Sequence, residues 1–380
     1  MTRTYLDHAA TSPLLPEAFE AMRPWLTTNF GNASTLYREG KRARQALDEA
    51  RATIAHIIGA NPTEVVFTSG GTEANNALIR GITHAIRTQK GREKGGNHVI
   101  GAAFEHHAIL EPLQALRREG YEQTLIKPSR DGFILPETFA QALRPNTVLA
   151  TVMTAQNELG TIQPITKLAH LAHTNGTLFH TDAVQALGRL PFNVQTLNID
   201  AASFSAHKLG GPQGVGAFFL KRQTPFSALQ LGGGQEGKRR AGTPNIAGAV
   251  GFATALQHTE STRLQETARL TALRDWLATT LLALDTRITL TVPLTTHLPH
   301  ILSFLIAGFE SETLILKLDD AGFAVSGGSA CSTGSLEPNH VLSALDIPRE
   351  QAYGVLRISL GHDNTQAQLE AFISALATLL

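Results

Sequence analysis

The chain has 380 residues, of which 42% are hydrophobic and 17% are charged, and its 32 basic residues balance its 32 acidic residues. This composition excludes disorder as the main state, because disordered chains combine low hydrophobicity with high net charge. It also argues against nonspecific nucleic-acid binding, which requires an excess of basic residues.

Short apolar runs alternate with helical patterns over the first two thirds of the chain. The predicted strands are 64–68, 98–102, 148–153, 178–181, 201–205 and 215–220. Several are apolar on both faces, as strands covered by helices on both sides are. The apolar spacing within 164–175 predicts a helix between two of these strands. The alternation predicts an α/β fold with a largely parallel sheet.

The pattern changes after residue 256. An apolar stretch over 246–256 predicts a buried helix, and a stripe of leucines predicts a long amphipathic helix over 262–285. Strands at 288–292 and 300–305 and helices at 311–321 and 366–379 follow. We therefore expect two domains: a large one over 16–256, and a smaller α+β domain over 257–380 that residues 1–15 join.

Cys331 is the only cysteine in the sequence, so an intramolecular disulfide and a cysteine-rich metal site are excluded. The N-terminus does not resemble a signal peptide, and no apolar run reaches the ~18 residues that a membrane-spanning helix needs. We therefore expect no membrane contact and a reducing compartment, by default the cytoplasm.

Gly70, Gly71 and Thr72 lie between a predicted strand and a helical pattern. Glycines let the backbone approach a ligand closely, and the free N–H groups at a helix N-terminus favour a phosphate. An ordinary strand-to-helix turn explains the same residues.

Two further strand ends carry charged side chains. Asp182 ends an apolar strand, where α/β sheets place ligands, although the N-cap of a following helix is an equal alternative. Lys208 follows another strand and precedes a Gly-rich turn, where apolar surroundings favour the neutral amine that forms a Schiff base. A lysine whose stem lies along the strand end is the alternative. Together, a phosphate site, a carboxylate and such a lysine meet the requirements of pyridoxal 5'-phosphate (PLP).

The chain resembles the cysteine desulfurases of the PLP-dependent class V aminotransferase family along nearly its whole length. The motifs that carry the resemblance are 5–13 (YLDHAATSP), 67–76, 105–108 (EHHA), 156–160 (QNELG), 180–185 (HTDAVQ), 203–214, 240–243 (RAGT), 329–332 (SACS) and 356–361 (LRISLG). The resemblance implies the fold of the aspartate aminotransferase-like PLP transferases, with a mostly parallel sheet in the large domain, and a homodimer.

The resemblance also implies a role for each motif. It implies that Lys208 binds PLP, that Asp182 holds the ring nitrogen, that Gln185 contacts the ring hydroxyl, and that His106 stacks on the ring and can transfer protons. The implied phosphate ligands are Gly71, Thr72, Ser205 and His207, with Thr243 donated by the other subunit. Asn157 and Arg357 are the implied contacts of the substrate carboxylate; a structural acid is the other partner that a buried arginine could have.

Cys331 lies in a polar, Gly-rich stretch, 326–335, and 26 residues before Arg357. Free cysteines are usually buried and inert, whereas an exposed thiol can react. In the family this cysteine is the nucleophile that takes sulfur from the substrate, and the spacing resembles the branch with a long cysteine loop. The implied reaction converts L-cysteine to L-alanine and passes a Cys331 persulfide to an acceptor, such as an iron–sulfur scaffold or a tRNA-thiolation protein. The alternatives are a selenocysteine or cystine lyase that does not use Cys331, and a non-catalytic sulfur-relay subunit.

Overall fold

A computed structural model describes residues 3–88, 96–327 and 339–380. The strands are β1 (Thr4–Tyr5), β2 (Val65–Thr68), β3 (His98–Ala102), β4 (Glu122–Ile126), β5 (Thr147–Thr151), β6 (Leu178–Asp182), β7 (Ala201–Ser205), β8 (Gly216–Leu220), β9 (Ile288–Leu290), β10 (Ile301–Ile306), β11 (Phe323–Ala324) and β12 (Val355–Ser359). The α-helices are α1 (Pro16–Leu26), α2 (Arg38–Ile58), α3 (Gly71–Thr88), α4 (His107–Arg118), α5 (Pro136–Ala142), α6 (Ile165–Thr174), α7 (Val194–Leu197), α8 (Ile246–Leu284), α9 (Ser311–Asp320), α10 (His340–Ala344), α11 (Arg349–Ala352) and α12 (Gln366–Ala377). Within these ranges, no helix is both long enough and apolar enough to cross a lipid bilayer.

Seven strands form the central sheet, in the order β2-β8-β7-β6-β5-β3-β4. The strands from β3 to β7 pair in parallel, whereas β8 is antiparallel to both of its neighbours. Successive residues of a strand enter different cores: Val65 and Phe67 pack with α2 and α6, and Val66 packs with α3 and α4. Both faces are therefore covered, which explains the continuous apolar runs in the sequence. The prediction of an α/β fold with a largely parallel sheet is confirmed.

All six strands predicted for this sheet are present, each within two residues at either end. The sequence did not predict β4, which lies at the edge of the sheet. Its first four residues are exposed or half-buried, so it lacks the apolar run that marks a strand with two covered faces.

Helix α8 runs unbroken through 39 residues, where the sequence predicted two helices. Residues 257–261 contain neither Gly nor Pro, so nothing ends the first helix before the second begins. The first part of α8 packs Phe252 and Leu256 into the core of the central sheet, and the later part packs Leu270 and Leu277 into a second core. The division into two domains near residue 257 stays a prediction, and it falls within a continuous helix.

The second core surrounds an antiparallel three-stranded sheet with the order β12-β10-β9. The N-terminus belongs with it: β1 pairs with β11, and Leu6 is buried in this core. The following residues contact both sheets, because the N–H of His8 donates to the carbonyl of Ser359 and the N–H of Ser12 donates to the carbonyl of His207. Residues 8–12 therefore connect the end of β12 to the end of β7.

Candidate active site

A cleft opens at the carboxyl ends of the central parallel strands, where α/β sheets generally bind their ligands. The residues that line it include ten that the sequence singled out: Gly71, Thr72, His106, Asn157, Asp182, Gln185, Ser205, His207, Lys208 and Arg357. Thr243 is not among the residues that line this cleft, and it is exposed in the described chain. Cys331 lies outside the described residues.

The N-terminus of α3 forms one end of the cleft. A Cβ added to Gly71 would lie only 2.8 Å from Cγ2 of Val184, so only glycine lets α3 approach the segment after β6 this closely. The first N–H groups of this 18-residue helix have no partner within the helix and favour an anion. Thr72 and Ser205 add hydroxyl groups to the same cleft. This arrangement can hold a phosphate.

Asp182 presents a buried carboxylate at the end of β6. Its Oδ2 accepts a hydrogen bond of 2.6 Å from Nδ2 of Asn75, and its Oδ1 accepts one of 2.9 Å from the N–H of Val184. Sequence reasoning missed Asn75, although the residue lies three positions after Thr72 and hence on the same face of α3. Two donors therefore fix the carboxylate in the cleft.

The amine of Lys208 is held by the N-terminal segment. Lys208 lies in a short 3-10 helix, Ala206–Leu209, directly after β7. Its Nζ donates hydrogen bonds of 2.7 Å to the carbonyls of Ala9 and Ala10, and the Ala9 carbonyl also accepts Nε2 of Gln185 at 2.9 Å. The amine therefore points into the cleft and not along the strand end into solvent.

Burial makes the two cleft histidines weak bases. Burial, together with the charge of Lys208, lowers the pKa of His207 to about 4. Burial also lowers the pKa of His106, against the opposing charge of Asp182. Nδ1 of His106 accepts the N–H of Ala108 at 3.0 Å, so the single proton of the neutral ring resides on Nε2. His106 therefore offers a ring face and one N–H group to the cleft.

Arg357 is buried on β12 and has an acidic partner, Asp7. Its Nη2 donates to Oδ1 of Asp7 at 2.7 Å, and its Nη1 donates to the backbone oxygen of Asn157 at 3.0 Å. The Nε of Arg357 is buried and has no hydrogen-bond partner in the described parts of the chain. The structural acid that the sequence offered as one partner is thus present, and the planar guanidinium also lines the cleft, where it could bind a carboxylate.

The described residues on either side of 328–338, the segment that contains the cysteine, are attached to segments that build the cleft. On its N-terminal side, Ser326 and Arg357 exchange both backbone hydrogen bonds, with N–O distances of 2.7 and 3.3 Å. On its C-terminal side, Nδ2 of Asn339 donates to Oε2 of Glu158 at 2.6 Å. Glu158 follows the cleft residue Asn157 in the chain. Ser326 and Asn339 are therefore both bonded to segments that build the cleft.

His340 adds a second contact on the C-terminal side. Its Nε2 lies 2.9 Å from the backbone oxygen of Glu105, and its ring centroid lies 4.7 Å from that of His107. Glu105 and His107 flank the cleft residue His106 in the chain. Sequence reasoning missed His340, because nothing in a local pattern shows which distant segment a side chain will contact.

The groups in the cleft fit PLP. The amine of Lys208 could bond the aldehyde carbon of the cofactor, and the fixed carboxylate of Asp182 could pair with its ring nitrogen. The N-terminus of α3 could hold its phosphate. The neutral ring of His106 could stack on the pyridine ring.

Residues 4–372 match the model of the aminotransferase class-V family. A cysteine desulfurase IscS from Dictyoglomus turgidum is 43% identical over 376 residues, which cover 99% of this chain and 94% of the relative. Among solved structures, a NifS-like protein has a TM-score of 0.93 at 31% identity and matches over 100% of this chain and 99% of its own. SspA in complex with cysteine has a TM-score of 0.80 at 31% identity, over 94% and 99% of the two chains. The chain belongs to the aminotransferase class-V family, whose enzymes depend on PLP, as the sequence predicted.

Proposed function

We propose that this protein is a PLP-dependent cysteine desulfurase, which converts L-cysteine to L-alanine and transfers the sulfur as a persulfide on Cys331 to an acceptor protein. One observation carries the proposal: Lys208, Asp182 and Arg357 face one cleft. Ser326 and Asn339, the described residues before and after Cys331, bond to segments that build the same cleft. The relative named cysteine desulfurase and the similar structure that contains cysteine support it.

Arg357 and Asn157 bind the substrate carboxylate. Arg357 contributes N–H groups beyond those that bond Asp7 and the Asn157 carbonyl, and its planar fork suits the two oxygens of a carboxylate. Asp7 orients the guanidinium through its ion pair, in which both side chains are largely buried. The amino acid is thereby oriented with its α-carbon toward Lys208.

PLP, when bound, supplies an electron-withdrawing ring that makes the Cα proton of the substrate acidic. Nζ of Lys208 takes that proton after its hydrogen bonds to the carbonyls of Ala9 and Ala10 have broken. Asp182 keeps a negative charge fixed in the cleft, which would favour the protonated form of the cofactor's ring nitrogen beside it. His106 lines the same cleft and carries a proton on Nε2 that it can donate there.

The thiolate of Cys331 attacks the substrate sulfur. An S–S bond forms and the C–S bond breaks, and the electron pair of the broken bond stays on the carbon that becomes the methyl group of alanine after it takes a proton. The cysteine is oxidised to the persulfide as the substrate carbon is reduced, so the reaction needs no external oxidant. In the cytoplasm, an iron–sulfur scaffold or a tRNA-thiolation protein accepts the persulfide.

The active form is a homodimer. Large apolar side chains are exposed on two stretches of the described chain: Phe30, Leu36, Tyr37, Leu229 and Leu231. A second copy of the chain would cover such surface, and a twofold dimer is the commonest oligomer. The exposed Thr243, twelve residues after Leu231, then reaches the phosphate in the partner's cleft. Sedimentation of the active enzyme should give a dimer, and an active monomer would contradict this arrangement.

The function is tested by alanine and sulfide release from L-cysteine in the presence of dithiothreitol. The wild type should release both in equal amounts, and Cys331→Ser should release neither, because a serine hydroxyl stays protonated and attacks sulfur poorly. Ser335→Ala, in the same stretch, is the matched control and should retain activity. Wild-type rates from Cys331→Ser would identify a PLP lyase that does not use this cysteine.

A further inference from the structure

A second cavity, of about 180 Å³, lies on the other side of the N-terminal segment that borders the cleft. Ala9 and Ala10 line the cleft, whereas His8 and Ser12 line the second cavity. Arg189 also lines it, from the turn that follows β6. One short segment therefore separates the two spaces, and its carbonyls hold the amine of Lys208.

Arg189 is a half-buried cation that forms no direct ion pair with an acidic side chain of the described chain, although the charge of Glu266 acts on it. Burial lowers its pKa to about 10, which still leaves the guanidinium charged at neutral pH. Its Nε is buried without a hydrogen-bond partner in the part of the chain that the structure describes. Glu266, the acid that also lines this cavity, is held by Arg269 through two hydrogen bonds of 3.0 and 2.8 Å. The buried Nε of this guanidinium is costly to leave unpaired unless an anion or water compensates it.

His8, which also lines the cavity, has a second buried polar atom without a partner among the described residues. The residue is only 3% exposed, and its Nδ1 has no hydrogen-bond partner within the described ranges. Burial and the charge of Arg189 lower the pKa of His8 to about 3, so the ring is neutral and keeps one N–H to donate. Ser12 also lines the cavity, but its hydroxyl already donates to the backbone carbonyl of Lys208 at 3.3 Å.

We propose that this second cavity binds a small tetrahedral oxyanion of the phosphate or sulfate class. Arg189 supplies the charge, and its guanidinium fork suits paired oxygens better than a spherical halide. His8 supplies a further donor from the segment that separates the cavity from the cleft. The bound anion stabilises this segment from the side opposite to Lys208. The site does not depend on which substrate the cleft takes.

The test is thermal unfolding of the PLP-loaded enzyme in sodium phosphate or sulfate, against sodium chloride at equal ionic strength. Loading with PLP keeps added phosphate out of the cleft. At ten times the dissociation constant, the oxyanions should raise the midpoint of wild-type unfolding by about 2 °C over chloride. Arg189→Gln should lose this rise. Arg23→Gln, which changes an exposed arginine paired with Glu20, is the matched control and should keep it.

Two outcomes would overturn the proposal. An equal rise in the wild type and in Arg189→Gln means that the oxyanion binds elsewhere, and no rise at any concentration means that the cavity holds only water. If Arg189→Gln does not fold, Thr262→Leu provides a second route, because it fills the cavity and keeps the arginine. Thr262→Leu should also lose the rise, and a full rise in this variant would contradict the site.

Discussion

The two sides of the cleft are built in different ways. Asp182 and Lys208 lie at the ends of β6 and β7, which are neighbouring strands of one sheet. Arg357 comes from β12 of the second sheet and is held by Asp7 of the N-terminal segment. Neighbouring strands of one sheet thus place the backbones of Asp182 and Lys208 side by side on the side proposed for the cofactor. On the side proposed for the substrate, Arg357 reaches the cleft only through the packing of a separate sheet and the N-terminal segment. The two sides should therefore respond to mutation independently.

Lys208→Ala breaks the cofactor side and should have the largest effect. Turnover of L-cysteine should fall by at least about 10²- to 10⁴-fold, because the amine is the proposed base for the Cα proton. Lys221→Ala is the matched control, since Lys221 follows the adjacent strand β8 and is 45% exposed. Alanine formation measures activity, and circular dichroism checks that both variants fold. Undiminished turnover in Lys208→Ala would remove this lysine from the mechanism.

Arg357→Ala breaks the substrate side. A lost charge-assisted contact of about 1.5–3 kcal/mol should raise KM for L-cysteine by about one to two powers of ten. Arg357→Lys should restore only part of the loss, because lysine lacks the planar fork. The PLP content of both variants should equal that of the wild type, since Lys208 and Asp182 are untouched. A normal KM in Arg357→Ala would place the carboxylate contact elsewhere.

Asp7→Asn sharpens the comparison, because it separates the orientation of Arg357 from its contact with substrate. Asparagine keeps an oxygen that can accept from Nη2 of Arg357, but it removes the charge. KM should rise by about two- to fivefold, with kcat nearly unchanged. Asp319→Asn, in the exposed pair with Arg3, should leave KM unchanged. A lower kcat at unchanged KM would show that Asp7 acts on the chemistry and does not position the arginine.

Glu105→Gln should change stability and hardly affect turnover. Glu105 is fully buried, its Oε1 accepts the N–H of Met153 at 2.7 Å, and its Oε2 lacks a partner among the described residues. Burial, and then the charge of Asp182, raise its pKa well above the ordinary value of 4.5. The folded protein therefore keeps a proton that the unfolded chain releases above that pH.

This difference makes stability fall as the pH rises from 4.5 toward the raised pKa, by up to about 1.4 kcal/mol per pH unit. Glutamine cannot ionise, so the stability of Glu105→Gln relative to the wild type should increase as the pH rises above about 4.5. Denaturant unfolding at several pH values measures the free-energy difference. If the free energy of unfolding depends on pH in the same way for the two proteins, Glu105 ionises normally in the fold.

The sequence predicted the cofactor side more completely than the substrate side. Asp182 and Lys208 each end an apolar strand, so local pattern and strand order place them at one sheet edge. Asp7 and Asn75 were missed as partners because their hydrogen bonds join residues 350 and 107 positions apart. Periodicity describes the face of an element and carries no information about such distant contacts.

Burial also explains two of the differences between the predicted and the observed elements. Edge strand β4 has a weak apolar pattern because most of its residues are not buried. The two parts of helix α8 are buried in different cores, so the apolar stripe changes while the backbone continues. The sequence pattern therefore predicts two helices where there is one. The apolar pattern thus follows burial and not the continuity of the backbone.

Mass spectrometry of the enzyme after a single turnover tests the central proposal most directly. PLP-loaded enzyme is mixed with L-cysteine in the absence of reductant, and the peptide that contains Cys331 is isolated. The account predicts that this peptide gains the mass of one sulfur atom for each alanine formed. Alanine and free sulfide in equal amounts, with Cys331 unmodified, would contradict it.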